Sequence, residues 1–292
     1  FSELLKWRRE RVSPERVEIE ISQDWKNIAS KEENYAVWIG HSTFLIKEGR
    51  ITILTDPVFS NRASPLSFAG PKRLIPPALN IDDLPNIDIV TISHNHYDHL
   101  DIRSLKKISK KFPNVLFFVP KGDKKLLKKA GIKNVFDFMW WDEKRVGDTV
   151  FTFTPVQHWS ARGLFDRSES LWGGWFMKNK TISLFHAGDT GYSDDFKEIY
   201  KKLGSPDLAM IPIGAYSPQW FMKFSHVNPK EAVQIALDMR AKKSIGMHWG
   251  TFILTDEPVK EPPILLKKEL VELNLSSNFF QVVKPGEVLS LN

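Results

Sequence analysis

The stretch ISHNHYDHLD concentrates metal-binding side chains, with three histidines and two aspartates inside eight residues of a chain that has only eight histidines. Protonated imidazoles at this spacing repel one another, whereas neutral imidazole and carboxylate groups are the expected ligands of Zn²⁺ and similar cations. Residues two apart in an extended loop point the same way, so His94 and His96 can hold one cation. Asp98 and His99 can reach a second cation on the far side of the turn. The chain contains no cysteine, so thiolate ligands are excluded.

Two cations need more ligands than this motif supplies, and three further side chains fit. His158 in QHWS and His248 in MHWG each follow a predicted strand. Asp189 is flanked by glycines in AGDTGY, which let the backbone approach an ion closely. A carboxylate can bridge two metals about 3.5–4 Å apart, the separation typical of two-metal hydrolytic sites. His41 and His186 are assigned polar structural roles, with orientation of a metal ligand as the alternative.

The elements that must position these side chains are short apolar runs ended by turn residues, which predict strands. Their sequences are AVWIG, TFLIKEGRITILT, IDIVTIS, VLFFVP, TVFTFTPV, TISLFHAG, LAMIPIG and SIGMHWG, with a hairpin turn at KEGR. Helices are predicted over Leu100–Lys111, Lys124–Ala130, Asp194–Leu203 and Pro229–Arg240. This order predicts an α/β or α+β domain with extensive sheet. The candidate ligands follow predicted strands, where loops held by a rigid sheet carry binding and catalytic groups.

No linker rich in glycine or serine divides the chain, so one domain is predicted over residues 36–292, preceded by a helical or extended segment over residues 1–35. The apolar residues that open this segment have helical spacing: Phe1, Leu4, Leu5 and Trp7. One interpretation is a short helix packed on the body of the protein. The other is an interfacial helix whose aromatic side enters lipid while Arg8, Arg9 and Arg11 meet phosphate head groups.

The net charge of +6 weakly favours anionic partners such as phosphates or an acidic membrane face. Lysines concentrate in SLKKISKKF and KGDKKLLKKAGIKN, but aromatic residues for base stacking are not interleaved among them, which argues against nucleic acid. No apolar run approaches the roughly 20 residues of a membrane-spanning helix. We therefore expect a soluble or peripheral membrane protein. Its compartment stays open, because the sequence begins at Phe1 rather than Met.

The order of these motifs resembles a known superfamily. H-x-H-x-D-H followed by a histidine, a Gly-Asp pair and a late histidine is similar to the metallo-β-lactamase superfamily. Longer stretches narrow the resemblance: WIGHSTFLI, TDPVFSNRASPLSFAGPKR, TPVQHWSARG, LWGGW, IPIGAYSPQWFMKFSHVNPKEAV and KKSIGMHWGTF. Together they resemble the N-acylphosphatidylethanolamine-hydrolysing phospholipases D, from about Ala36 to the C-terminus. The resemblance implies an αββα sandwich with a di-zinc site at one edge.

Position by position, the resemblance also implies roles for individual residues. One zinc is bound by His94, His96 and His158, the other by Asp98, His99 and His248, and Asp189 bridges them. From the chemistry of such a site, we also expect Asp98 to hydrogen-bond the nucleophilic hydroxide. Tyr97 and His226 match positions that contact the phospholipid, and His226 steadies or protonates the leaving oxygen; the alternative for His226 is a cap on the helix that starts near Pro229. Mn²⁺ and Fe²⁺ stay open as alternatives to Zn²⁺, because the ligand types do not separate these ions.

The resemblance implies a zinc-dependent phosphodiesterase that hydrolyses phospholipid head groups, giving phosphatidic acid and N-acylethanolamine. The partners implied are a phospholipid substrate, a peripheral membrane contact and a second copy of the chain in a homodimer. The aromatic run AYSPQWFMKF before His226 is consistent with acyl chains, although hydrophobic core is an equal interpretation. The alternatives are a sugar-phosphate lactonase, or a lipid-binding protein whose metal site is vestigial. All seven predicted ligand positions carry competent residues, which argues against a vestigial site.

Overall fold

The computed structural model of the chain describes residues 2–10, 13–23, 25, 27 and 33–292. Phe1 and Arg11 of the predicted N-terminal helix lie outside the described residues, and so do the side chains of Leu4, Leu5 and Arg8. In the described part of the chain, no helix is both long and apolar enough to cross a lipid bilayer.

Fourteen strands form two seven-stranded sheets within the described residues. The strands are β1 (Tyr35–Gly40), β2 (Thr43–Glu48), β3 (Ile51–Thr55), β4 (Ile89–Thr91), β5 (Leu116–Pro120), β6 (Val135–Phe138), β7 (Glu143–Val146), β8 (Thr149–Thr154), β9 (Gly174–Lys178), β10 (Ser183–His186), β11 (Leu208–Pro212), β12 (Lys243–Met247), β13 (Phe280–Gln281) and β14 (Val288–Ser290). The first sheet has the order β14-β1-β2-β3-β4-β5-β6, and the second has the order β13-β12-β11-β10-β9-β8-β7.

The helices within the described residues are α1 (Ser2–Glu10), α2 (Ile102–Lys111), α3 (Lys124–Lys129), α4 (Asp195–Leu203), α5 (Gln219–Met222), α6 (Pro229–Asp238) and α7 (Glu261–Glu272). Five of them pack on the outer faces of the two sheets. Leu105 of α2 and Leu127 of α3 join the core on one face of the first sheet. Phe196 of α4, Val233 of α6 and Leu266 of α7 belong to the larger core that also fills the space between the sheets.

Strand alternation explains how one strand contributes to both cores. In β1, Trp38 lies in the core that includes residues of both sheets, whereas its neighbours Val37 and Ile39 lie in the core beneath α2 and α3. Successive side chains of a strand point to opposite faces, so a strand buried on both faces is apolar throughout. The layers are helix, sheet, sheet and helix, which confirms the predicted αββα sandwich.

The predicted helices and the hairpin are present with small shifts at their ends. α2 begins at Ile102 rather than Leu100, because the Asp101 side chain accepts a hydrogen bond from the Arg103 backbone N–H (3.1 Å) and caps the helix there. α6 ends at Asp238 rather than Arg240. The hairpin between β2 and β3 turns within KEGR, as predicted.

The N-terminal segment packs along the domain, although the proposed boundary at residue 35 stays a prediction. Ser22 donates its backbone N–H to the carbonyl of Pro285 (2.8 Å), and Arg16 donates to the carbonyl of Arg73 (2.8 Å). In α1, the Trp7 indole donates to Asp256 and lies 6.0 Å from the Phe221 ring, between centroids. The contacts of Trp7 are those of a short helix packed on the body of the protein.

Candidate metal centre

The candidate ligands meet because their loops leave the same edge of the sandwich. β10, β11 and β12 run parallel, and β8 has the same direction because it is antiparallel to β9, which is antiparallel to β10. Loops after β8, β10 and β12 therefore emerge together, carrying His158, Asp189 and His248. The loop after β4 of the first sheet brings the H-x-H-x-D-H motif to them.

Three histidines form the first group of candidate ligands. His94 Nε2 lies 2.9 Å from His96 Nδ1, and His158 Nε2 lies 3.3 Å from the same atom. His158 presents Nε2 inward because its Nδ1 lies 2.8 Å from the Ser225 carbonyl oxygen, to which it can donate. Burial lowers the pKa of His96 to about 4 and the pKa values of His94 and His158 well below the ordinary value. All three rings are therefore neutral near pH 7, which is the form that binds a metal.

The second group gathers around the Asp98 carboxylate. Asp98 Oδ2 lies 2.9 Å from His41 Nε2, 3.4 Å from His248 Nε2 and 3.5 Å from His99 Nε2. Burial acts to raise the pKa of Asp98, but the nearby His99 and His248 rings and the hydrogen bond with His41 together hold it well below the ordinary value. The carboxylate is ionised and available to a cation.

Asp189 lies between the two groups and is almost fully buried. Its Oδ2 is 3.8 Å from His94 Nε2, 3.9 Å from His158 Nε2 and 3.1 Å from His99 Nε2. Its Oδ1 is 3.0 Å from His248 Nε2. One carboxylate therefore faces the histidines of both groups, which is the placement that a bridging ligand requires. The structure brings all seven predicted ligands together, and their binding of metal stays a prediction.

Buried polar atoms in this cluster fit a divalent cation. Several ligand atoms have no hydrogen-bond partner within the described residues: His96 Nε2, His99 Nε2, His248 Nε2 and Asp189 Oδ1. Burying polar atoms without partners is unfavourable, and coordination of a cation satisfies them. Groups of these donors lie within 4.8 Å of one another, close enough to share an ion. Nitrogen and carboxylate donors of this kind bind Zn²⁺, Mn²⁺ and Fe²⁺.

Asp56 contacts a candidate metal ligand and has no counterpart among the residues predicted from the sequence. Its Oδ2 lies 2.7 Å from His99 Nδ1 and accepts a hydrogen bond from the Ser93 hydroxyl (2.6 Å), while its Oδ1 accepts from the Ser93 backbone N–H (2.7 Å). A carboxylate on the outer nitrogen of a metal-binding histidine fixes the tautomer and the direction of the ring. The only sequence signal is an aspartate just after a predicted strand, in TDP.

We expect Asp56→Asn to weaken metal binding about 10–100-fold, because His99 loses the anionic partner that orients it. The measurement is competition for Zn²⁺ with a chromogenic chelator. Asp88→Asn is a suitable control, because Asp88 accepts a backbone hydrogen bond from Thr52 (2.8 Å) in the same sheet but lies outside the cluster. Equal affinities of Asp56→Asn and wild type would show that Asp56 only stabilises the fold.

His41 and His186 both have definite partners. His41 contacts Asp98 through its ring, as described above, and accepts a hydrogen bond from the His248 backbone N–H at its carbonyl (3.1 Å). His41 therefore touches two members of the second group. His186 Nε2 lies 2.9 Å from the Ser42 carbonyl oxygen and links β10 to the turn after β1.

The two predicted substrate residues lie at the border of the cluster. The Tyr97 hydroxyl donates to the Arg162 carbonyl (2.9 Å), and its ring lies under the Arg162 guanidinium. His226 is close to Asp189, with Nδ1 3.8 Å from Oδ2, and that nitrogen has no hydrogen-bond partner among the described residues. The cap of α6 is Asn228, whose side chain accepts from the Glu231 backbone N–H (2.9 Å). Contact of Tyr97 and His226 with substrate stays a prediction.

Two mixed sheets between helices, with a buried His/Asp cluster at one edge, are the architecture of the metallo-β-lactamase fold, which implies binding of a divalent metal. Residues 51–249 match the family model described as a beta-lactamase superfamily domain. A solved structure of a possible metal-dependent hydrolase from Veillonella parvula superposes with a TM-score of 0.70 at 19% identity, over 89% of this chain and 100% of that one. This likeness shows the fold.

Two curated relatives identify a more specific family within this superfamily. The chain is 43% identical over 267 residues to N-acyl-phosphatidylethanolamine-hydrolyzing phospholipase D 1 of Caenorhabditis elegans, across 87% of this chain and 75% of that protein. It is 39% identical over 244 residues to the mitochondrial N-acyl-phosphatidylethanolamine-hydrolyzing phospholipase D of Saccharomyces cerevisiae, across 81% of this chain and 52% of that protein. The chain therefore belongs to the metallo-β-lactamase superfamily and, within it, to the family of N-acylphosphatidylethanolamine-hydrolysing phospholipases D.

Proposed function

We propose that the protein is a di-zinc phosphodiesterase that hydrolyses the head-group phosphodiester of phospholipids and releases phosphatidic acid. N-acylphosphatidylethanolamine is the proposed substrate, and N-acylethanolamine is the second product. The observation that carries the proposal is the placement of Asp189 between two groups of neutral or carboxylate-paired histidines. The named activity of the two curated relatives supports the choice of a phospholipid over other substrates of this superfamily.

The residues around the cluster fit a phosphodiester reaction. When bound, divalent ions in such a centre lower the pKa of water from about 15.7 to about 7 and neutralise charge on a phosphoryl group. Asp98 is ionised, so it can accept a hydrogen bond from the attacking oxygen. Burial lowers the pKa of His226 to about 4, so its ring is neutral near pH 7 and can donate one hydrogen bond. That donor can stabilise charge on the phosphoryl or leaving oxygen.

Three segments of the chain carry exposed apolar side chains, and the last of them adjoins the candidate site. They are Leu66 and Phe68, Leu164 and Phe165, and Trp220, Phe221 and Phe224. Phe224 is next to the cluster, because its carbonyl accepts from Gln157, the neighbour of His158 (3.1 Å). Apolar and aromatic groups at the mouth of a site suit contact with a lipid surface, and the net positive charge favours an anionic one. We therefore propose a peripheral membrane contact at this edge; a homodimer also stays a prediction.

We expect the protein to release phosphatidic acid and the free head-group alcohol from vesicles that contain N-acylphosphatidylethanolamine. In water enriched in ¹⁸O, the label should enter phosphatidic acid, because the new P–O bond comes from water. Mass spectrometry of both products makes the measurement. Diacylglycerol with a phosphorylated head group would show cleavage of the other ester bond. Lactone hydrolysis without phospholipid hydrolysis would favour the lactonase, and lipid binding without any turnover would favour the vestigial site.

A further inference from the structure

We propose that Arg162 is a positioning residue that holds the metal-binding loop in the shape the two ions need. Its guanidinium Nη1 donates to the carbonyl of Asn95 (2.7 Å) and to the carbonyl of Leu100 (2.8 Å). These two carbonyls bracket the x-H-x-D-H part of the motif, which contributes candidate ligands to both groups. The inference rests on the metal binding in the proposed function, but not on the choice of substrate.

The partners of Arg162 indicate a role in fixing the backbone. Among the described residues, no carboxylate lies within ion-pair distance of this partly buried guanidinium, and Asp101, Asp123 and Asp166 act on it only from farther away. Its hydrogen bonds go to main-chain oxygens instead, and a charged donor makes stronger bonds than a neutral one. Burial lowers the pKa of Arg162, but an arginine stays protonated near pH 7. The Arg162 guanidinium therefore holds both ends of the metal-binding loop, because one nitrogen, Nη1, binds the carbonyl at each end.

Arg162 is itself held in place on two sides. The Tyr97 ring lies 4.0 Å from the guanidinium carbon, and the Tyr97 hydroxyl returns a hydrogen bond to the Arg162 carbonyl. The backbone N–H groups of Arg162 and Gly163 donate to the Asp166 carboxylate, at 3.1 Å and 2.8 Å. A side chain anchored in this way loses little freedom when it binds the loop, so its geometry is set before metal arrives.

The two hydrogen bonds from Arg162 to the carbonyls of Asn95 and Leu100 form what we call the clamp. The clamp also joins the two loops that carry the first group of ligands. Arg162 follows His158 by four residues, and its partner Asn95 lies between His94 and His96. A shift of this loop would move His158 and the H-x-H motif relative to each other. Loss of the clamp should therefore weaken both ions, because the bracketed residues include Asp98 and His99 of the second group.

The test compares Arg162→Ala with Arg103→Ala, which removes an exposed arginine that also donates to a main-chain carbonyl, that of Pro65 (3.0 Å). Zn²⁺ affinity is measured by chelator competition, the visible spectrum is recorded after loading with Co²⁺, and the melting temperature is recorded without metal. We expect Arg162→Ala to bind both ions about 10–100-fold more weakly, the size of effect seen when a group that orients metal ligands is lost. Its Co²⁺ bands should also shift. Arg103→Ala should match wild type in Zn²⁺ affinity and in its Co²⁺ bands.

A lower melting temperature with unchanged affinity and unchanged Co²⁺ bands would overturn the proposal, because a purely structural arginine gives that result. If Arg162→Ala does not fold, Arg162→Lys decides the matter. Its ammonium can still donate to carbonyl oxygens but is shorter and lacks the planar stack on Tyr97, so affinity should fall part of the way. Wild-type affinity in Arg162→Lys would overturn the clamp. Metal binding by the wild type without phospholipid hydrolysis would refute the proposed function and leave the clamp standing.

Discussion

Asp189→Ala should lose both metal ions and about 10³-fold or more in hydrolysis, since bound ions supply several kcal/mol of transition-state stabilisation. The Asp189 carboxylate faces both groups, with Oδ2 3.8 Å from His94 and 3.1 Å from His99, and Oδ1 3.0 Å from His248. Removing it leaves neutral histidines in the first group and takes a negative charge from the second. Elemental analysis of protein purified without chelator should therefore give about two ions for wild type and far fewer for the variant.

Asp238→Asn is the matched control for this change. Asp238 is a half-buried carboxylate at the end of α6 that accepts a hydrogen bond from the Tyr192 hydroxyl (2.6 Å) and is in none of the groups of candidate ligands. It should keep both ions and full activity. If Asp189→Ala loses one ion and keeps the other, Asp189 belongs to a single site and does not bridge. If the wild type holds no metal and cannot be loaded, the two-metal interpretation of the cluster is wrong.

The candidate metal centre can be predicted from the sequence because the motifs that indicate it are short and continuous. His94 to His99 fall within one loop, and their spacing alone predicts two adjacent binding sites. The apolar runs that precede His158, Asp189 and His248 predict strands, and parallel strands bring their following loops to a common edge. The strands can be predicted for the same reason, because a strand buried on both faces, such as β1, forms a short continuous apolar run in the sequence.

The parts that the sequence did not predict depend on contacts between distant residues or on local exceptions. Asp56 lies 43 residues before His99, so nothing near it shows that it accepts from that ring. Arg162 lies in a stretch of sequence with the composition of a solvated surface loop. Only the fold reveals that the partners of its side chain are main-chain carbonyls. α7 begins with Glu261 and two prolines, which suggest a break, although proline is tolerated in the first turn of a helix. β14 is assigned only because it pairs with β1 across almost the whole chain.

His226 is the residue for which geometry leaves a decision to experiment. Its Nδ1 lies 3.8 Å from Asp189 Oδ2, as near as the predicted ligands His94 at 3.8 Å and His158 at 3.9 Å. The capping role belongs to Asn228, so the buried His226 ring is unused by the fold at that nitrogen. Its neutral state near pH 7 allows either direct coordination of a metal or a hydrogen bond to substrate. Distance from Asp189 does not separate these roles, whereas metal content does.

We expect His226→Ala to keep both ions and the fold but to lose roughly 10²–10³ in kcat, the effect of removing one hydrogen-bond donor from the transition state. His158→Ala, changed beside it, should lose metal as well as activity, because the Ser225 carbonyl orients its ring toward the first group. Metal analysis and steady-state kinetics on phospholipid vesicles are measured for both variants. Loss of an ion from His226→Ala would make His226 a ligand and overturn its assignment to the substrate. Full activity with both ions bound would show that His226 takes no part in the reaction, because a donor that stabilises the transition state cannot be lost without slowing the reaction.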